Sequence, residues 1–406
     1  MTAPRVVTRP GATRLVGFPM GPTQPYRVFV VLVAIAAGLV AGATAFAQSV
    51  EATPSLGSPG QSVEATPSLG LPVQTSRLSL DAVVAVDGGA GSEVTRKPTA
   101  WFDLFGAVQV SERVSLRARP VVFRRSFDGS WQAQMYELAL RYERPGAVGV
   151  RVDIGQFVSP IGLAILENRP NRNPVVSQHS TLYLPVVRYE PGTPSTNLIA
   201  ASYPLGAQIS ASTRTWDVRA AVTDSSPIRG RALFGDNQPP RMVNFVAGGG
   251  VTPRIGLRLG AAVAHGSFAL AREVRDPSAG DRRATVIQGE AEWSFGYTRV
   301  AGEFLWTRRE MASGSARVDG GWVEVTQTLN PRWFVAARYD DQYTEWTSEP
   351  DRRDRHEPYR RLETTAGYRV TPELTLRASY MTRKGYVVGF WDDQMLVSAV
   401  FAKKIK

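Results

Sequence analysis

Cysteine is absent from the whole chain of 406 residues. That removes disulfide frameworks, thiolate metal sites and cysteine nucleophiles together. Histidine is scarce: His179, His265 and His356 are the only three, too scattered for a His-rich metal centre. Lysine is nearly missing as well. Lys97, Lys384, Lys403, Lys404 and Lys406 are the only five, so almost all the positive charge is arginine. No glycine-rich phosphate loop followed by lysine occurs, which leaves nucleotide chemistry without a visible seat. Beyond residue 47 no apolar run approaches the length of a membrane helix.

What is present is a chain of 43% hydrophobic and 20% charged residues, outside the compositional range of disorder. The formal charge of +11 raises a polyanion-binding reading first. That reading weakens once the charge is located. Of the +11, four charges fall in residues 1–47 and three in residues 402–406, which leaves +4 for the rest. Acids and bases alternate through the body of the chain, so no contiguous basic face forms, and a nucleic-acid partner is not expected.

Residues 1–47 read as a secretory signal peptide. Arg5, Arg9, Arg14 and Arg27 precede the apolar run from Val28, and Ala45-Phe46-Ala47 supplies a small-x-small cleavage site. Residues 48–76 read as a flexible linker in which QSVEATPSLG occurs twice, at Gln48–Gly57 and Gln61–Gly70. Such a segment buries too little apolar surface to offset the entropy of ordering it.

From residue 77 to 401 the pattern has period two. Leu374-Thr375-Leu376-Arg377-Ala378-Ser379-Tyr380 and Val148-Gly149-Val150-Arg151-Val152-Asp153-Ile154 alternate apolar with polar. Short turns at Ser111-Glu112-Arg113, Pro145-Gly146, Thr252-Pro253-Arg254, Asn330-Pro331-Arg332 and Thr371-Pro372-Glu373 alternate with long connections. A soluble sandwich has no reason to gather its short turns at one end, whereas an outer-membrane barrel does. The expected fold is therefore all-β: a transmembrane antiparallel β-barrel of about 16 strands, with long external or inward-folded loops. Residues 402–406 are expected to be a basic C-terminal tail. Trp101, Phe102, Tyr142, Trp293, Trp306, Trp333, Tyr368 and Tyr380 are expected to form aromatic girdles at the two membrane interfaces.

Apolar faces toward lipid force the polar faces inward. The expected lining is Arg117, Arg119, Arg141, Arg151, Arg219, Arg258, Arg299, Arg338, Arg369 and Arg377, matched by Asp103, Glu137, Asp153, Asp217, Glu290, Glu292, Glu303, Glu324, Asp340 and Glu363. Some of these would pair structurally and others would select ions or solutes. Residues 158–197 are the least strand-like stretch. Pro160, Pro170, Pro174, Pro185, Pro191 and Pro194 forbid a continuous strand or helix. The large apolar residues Ile165, Leu166, Leu182, Tyr183 and Leu184 call for a packing surface, and the lumen is the largest one available. A loop folded inward would place Glu167, Arg169, Arg172, His179, Arg188 and Glu190 at a constriction. An external lid or a subunit contact is the other placement.

Within Asp153-Ile154-Gly155-Gln156-Phe157-Val158-Ser159-Pro160-Ile161-Gly162-Leu163, the run from Gly155 resembles the G-x-F-x-x-P-F-G-x-E element of phosphate-selective porins O and P. Ile161 stands in place of the usual aromatic and Ala164 in place of the acid. The resemblance implies a trimeric, 16-stranded porin with inward-folded loops. The family's phosphate binders have lysine- and arginine-rich linings, and here acids balance the arginines, so phosphate specificity is not implied.

The functional expectation is a non-enzymatic outer-membrane channel for passive diffusion of small hydrophilic solutes, with a weak anion preference. Its partners would be outer-membrane lipid and small hydrophilic or anionic solutes, in a homotrimer, with no cofactor or metal. A structural or adhesive barrel with a plugged lumen is the alternative. A hydrolase, hinted at only by His179 beside Ser177 and Ser180, ranks lower.

Overall fold

A computed structural model of the chain describes residues 78–91, 96–125, 129–186, 194–200, 202–230, 240–274, 280–311, 314–348, 352–355, 358–385 and 392–405. The chain divides into two units, Met1–Pro59 and Gly60–Lys406, and every described residue belongs to the second. The signal peptide, the duplicated linker and Arg188 lie outside the described residues.

Strands appear where side chains alternate. They are β1 (Leu78–Gly91), β2 (Arg96–Ser111), β3 (Val114–Arg124), β4 (Trp131–Arg144), β5 (Gly149–Gln156), β6 (Leu205–Ser212), β7 (Trp216–Thr223), β8 (Asn244–Arg254) and β9 (Leu257–Ala269). They continue as β10 (Arg282–Phe295), β11 (Thr298–Met311), β12 (Gly314–Thr328), β13 (Trp333–Ser348), β14 (Arg352–Arg355), β15 (Tyr359–Arg369), β16 (Leu374–Lys384) and β17 (Asp392–Lys404). Apart from β14 and β15, neighbours in sequence pair antiparallel, and β1 pairs with both β2 and β17. The sheet therefore closes on itself. The short β14 pairs with β13 alone and extends its outer end, so sixteen of the seventeen strands make the wall. Closure leaves no unpaired edge to template aggregation.

Along most wall strands one face is apolar and exposed, and the other is sheltered and largely polar. On β4, Leu138 and Leu140 point outward while Glu137 and Ala139 are buried inside. Phe102, Leu104, Ile154, Ile209, Phe245, Ile287, Phe304, Leu362 and Met395 continue the outer band. Water solvates such a surface poorly, and the hydrocarbon core of a bilayer suits it. Among the described residues no helix is long and apolar enough to cross a membrane. Trp293, Trp333 and Tyr380 lie on the outer face, and Trp333 packs against Tyr368 with ring centroids 4.7 Å apart.

Four details differ from the sequence reading. Trp101 is not a girdle residue; it points inward and stacks on Phe123 with centroids 5.3 Å apart. The strand register sets this, because Trp101 shares its face with the inward Asp103. The C-terminal tail is largely strand. Ala402, Lys403 and Lys404 pair with Val83, Ala82 and Asp81, because the first half of β1 needs a partner to close the wall. The β8–β9 turn falls at Ile255-Gly256, beyond Pro253, and Gly256 takes a φ of +84° there. Pro253 sits in a register shift between Val251 and Arg254, where its missing N–H costs no ladder bond. Finally, the proline-rich loop carries two single helical turns, α1 (Leu163–Leu166) and α2 (Ser180–Tyr183), and a bridge between Pro185 and Asn197.

Gly155 and Gly206 face each other across β5 and β6 where that loop departs. A Cβ on Gly206 would lie 2.1 Å from the Val222 carbonyl oxygen, and one on Gly155 would lie 2.4 Å from that of Leu138. Gly155 also has a φ of +125°, which L side chains rarely adopt.

Candidate functional site

The segment between β5 and β6 turns into the barrel. Phe157, Ile161, Leu163, Ala164, Ile165, Leu182, Leu198 and Ile199 join one apolar cluster with wall residues including Val246, Ala264, Phe268, Val286, Leu305 and Trp322. Prolines deny the loop its own ladder of hydrogen bonds. Its buried peptide groups therefore need partners elsewhere.

The wall supplies them with charged side chains. Three carboxylates accept loop N–H groups. Glu303 on β11 accepts from Ala164 at 3.0 Å, in the first turn of α1. Asp340 on β13 accepts from the Ser180 amide at 3.1 Å and its hydroxyl at 3.0 Å, at the start of α2. Glu363 on β15 accepts from the amides of Val176 and Ser177, each at 3.0 Å. Helix starts leave N–H groups without intrahelical partners, so a carboxylate there is doubly favourable. Arginines satisfy the carbonyls. Arg377 donates to Pro170 at 3.2 Å and Val175 at 3.0 Å, Arg361 to Gln178 at 2.7 Å, and Arg309 to Asn197 at 2.6 Å. Gln288 on β10 accepts from Gly162 at 3.1 Å.

Side chains of the loop complete the anchorage. Asp103 on β2 holds Arg119 at 2.6 Å and Arg169 of the loop at 3.2 Å, and Asp103 is buried. The Arg119 guanidinium also lies 5.4 Å from the ring of Tyr136, which stacks on the loop residue Tyr203 with centroids 3.9 Å apart. Arg299 on β11 contacts Glu167. His179 is fully buried, packs on Trp322 with ring centroids 4.5 Å apart, and stands 3.5 Å from Glu167. Burial and the nearby Arg338 guanidinium push its imidazole down to about 4, so the ring is neutral at neutral pH.

Of the residues expected at a constriction, Glu167, Arg169 and His179 lie in this loop–wall contact, and Arg172 is exposed. Leu166 and Tyr183 of the loop are also exposed, at 47% and 43%. Of the expected lining, Arg119, Arg338 and Arg377 are buried against the loop. Arg117, Arg141, Arg151, Arg219, Arg258 and Arg299 sit near the short turns and retain partial exposure. Arg369 on the same inner wall lies over the Phe334 ring at 5.2 Å. Arg361, Arg309, Gln288 and Trp322 were missed as loop anchors. Strand parity could have found them, since Arg361 lies two residues from Glu363 and Arg309 shares a face with Glu303.

The partly exposed arginines share a geometry. Arg151 has 30% side-chain exposure where its partner Asp153 has 3%, and Arg258 has 19% where Glu290 has 4%. The same order holds for Arg141 with Asp153 and for Arg219 with Glu290. Water meets the cation, and the carboxylate lies behind it. Glu143, beside Arg141, is more exposed than its arginine, and Asp217 and Glu292 are nearly as exposed as theirs.

Comparison with solved structures places this architecture among known barrels. The anion-selective porin from Comamonas acidovorans superposes with a TM-score of 0.51 at 10% identity, covering 80% of this chain and 99% of that one. OmpT of Vibrio cholerae in its trimer form gives 0.51 at 9% identity, with 80% and 99% covered. Salmonella typhi OmpF in complex with daunomycin gives 0.51 at 13% identity, with 80% and 97% covered. At these identities the likeness is one of fold. No family model matches the chain, and no curated protein matches it. The phosphate-selective family suggested by the Gly155–Gly162 element thus gains no family match. The structure gives that element a physical role: Gly155 and Gly162 take φ values of +125° and +106° as the chain turns into the lumen.

Proposed function

We propose that the protein is a bacterial outer-membrane porin, a narrow water-filled passage for small hydrophilic solutes with a weak preference for anions. The observation that carries this reading is the group of partly exposed arginines near the short turns, four of which have Asp153 or Glu290 hidden behind them. A passing solute meets guanidinium edges although the charges nearly balance in number. The loop narrows the passage, and radius and charge then select without covalent chemistry. The non-enzymatic reading stands on the same ground. Location in the outer membrane rests on the exposed apolar band, and a trimer on the trimeric form among the similar barrels. Arg172, Tyr183 and Leu166 would face the passing solute at the constriction, above Arg117, Arg141, Arg151, Arg219, Arg258 and Arg299.

A second reading is a closed barrel with a structural or adhesive role. The apolar cluster that the loop forms inside the lumen favours it. Planar-bilayer recording separates the two. The porin reading expects stepwise conductance and a reversal potential shifted toward anions in a salt gradient. Replacing Arg141, Arg151 and Arg219 together with glutamine should move that potential toward cations. Silence in the bilayer would favour the closed barrel, and strong cation selectivity would refute the lining.

A further inference from the structure

Glu167, His179 and Glu324 converge inside the barrel, where the loop meets β12. All three are buried, and one ligand-type atom from each lies within 4.8 Å of the others. Among the described residues, no hydrogen bond reaches either ring nitrogen of His179, either oxygen of Glu324, or Oε2 of Glu167. Five buried polar atoms without a hydrogen bond, four of them in ion-pair contact only at 3.5–3.7 Å, are costly unless something satisfies them. Their geometry fits a cation. Zinc bonds to nitrogen and oxygen of about 2.0–2.2 Å set ligand atoms roughly 3.5 Å apart. His179 Nε2 and Glu167 Oε2 stand 3.5 Å apart. The remaining oxygen of Glu167 is occupied by Arg299, which leaves Oε2 free to turn inward.

Charge points the same way. Ion pairs link Arg299, Arg338 and Arg361 to Glu167, Glu292, Glu324, Asp340 and Glu363. Three guanidiniums thus face five carboxylates, two more negative charges than positive. Arg299 and Arg338 approach Glu324 only to 3.6 and 3.7 Å, too far for hydrogen bonds. Arg377 and Asp87 flank the network through Ser398 and add one charge of each sign. A single dication would balance the set.

We propose that Glu167, His179 and Glu324 bind one divalent transition-metal cation, which ties the inward loop to the barrel wall. One imidazole with two carboxylates is a donor set suited to zinc; calcium and magnesium favour oxygen alone. Two ligands come from the loop and one from β12, so the ion cross-links them at the point where the loop crosses the lumen. The site does not depend on the channel reading, because it is read by metal content and not by conductance.

The test uses the full-length protein in detergent, stripped with EDTA and dialysed against zinc chloride. Expected is one Zn²⁺ per chain and a higher unfolding temperature with zinc. Glu324→Gln and His179→Gln should each lose the uptake and the stabilisation. Glu273→Gln, on an external loop beside Arg229, should keep both. X-ray absorption on the zinc-loaded wild type needs no variant and should show one imidazole among oxygen ligands. No stoichiometric uptake by the wild type would overturn the proposal, and would mean that protons balance the carboxylates. Uptake unchanged in Glu324→Gln, or a spectrum without imidazole, would also overturn it.

Discussion

Asp103 shows how a single residue is used in this protein. Its carboxylate is buried and shared by Arg119 from the wall and Arg169 from the loop. Buried pairs of this kind contribute little net attraction, yet removing one partner strands the other in a poor solvent. Asp103→Asn would leave two buried guanidiniums short of a counter-charge. It should cost about 3 kcal/mol of stability, checked by denaturant unfolding in detergent. Arg172 is exposed, and Arg172→Ala should change stability by no more than about 0.5 kcal/mol. An equal loss for both variants would count against the anchoring role of Asp103. Gly206 offers a second residue-scale test. A methyl group there meets the Val222 carbonyl at 2.1 Å, so Gly206→Ala should lower the unheated, folded fraction seen by gel mobility. Normal folding of that variant would show that β6 and β7 can spread.

The loop between β5 and β6 is an element that cannot exist without the barrel. Its helical turns are four residues each, far too short to persist alone. Glu303, Asp340 and Glu363 take the place of caps, and arginines take the place of a neighbouring strand. Removing one support should therefore free part of the loop rather than unfold the wall. Glu363→Ala strands the amides of Val176 and Ser177. Under the channel reading it should give larger, flickering conductance steps, and the buried Arg338 it leaves short of a counter-charge should lower the unfolding midpoint as well. Steps of unaltered size would mean that the loop does not set the passage. Trp322 lies under His179 and donates to Glu303 at 3.1 Å. Trp322→Ala should cost about 3 kcal/mol through the cavity it leaves, measured by unfolding.

At the scale of the whole molecule, closure is the organising event. The last strand runs to Lys404 and covers the start of β1 down to Asp81. Deleting residues 402–406 removes the last pairs of that seam. The truncated chain should assemble more slowly into vesicles and melt at a lower temperature than the full chain. Identical assembly rates would show that the seam is complete by Phe401. Closure also explains the charge distribution. Closing sixteen strands into one cylinder turns their inward acids and bases toward one another and toward the loop. Charges that look evenly mixed along the chain become buried ion pairs around the loop and partly exposed arginines near the short turns.

Strand positions were legible in the chain, because alternation is a local signal and lipid on one side enforces it. β5 and β16 fall where the alternation at Val148–Ile154 and Leu374–Tyr380 places them, and the wall count of sixteen follows from turn spacing. The inward turn of the proline-rich segment was legible only as an alternative to an external lid. Its apolar residues demanded a surface without saying which one. Three things required the tertiary structure. The direction of Trp101 depended on register, the strand character of Ala402–Lys404 depended on the partner that β1 provides, and the meeting of Glu167, His179 and Glu324 depended on a loop crossing the lumen to reach β12. Local pattern determines which face of a strand a residue occupies. Which distant residue it meets there is decided only when the sheet closes and the loop needs partners for its peptide groups.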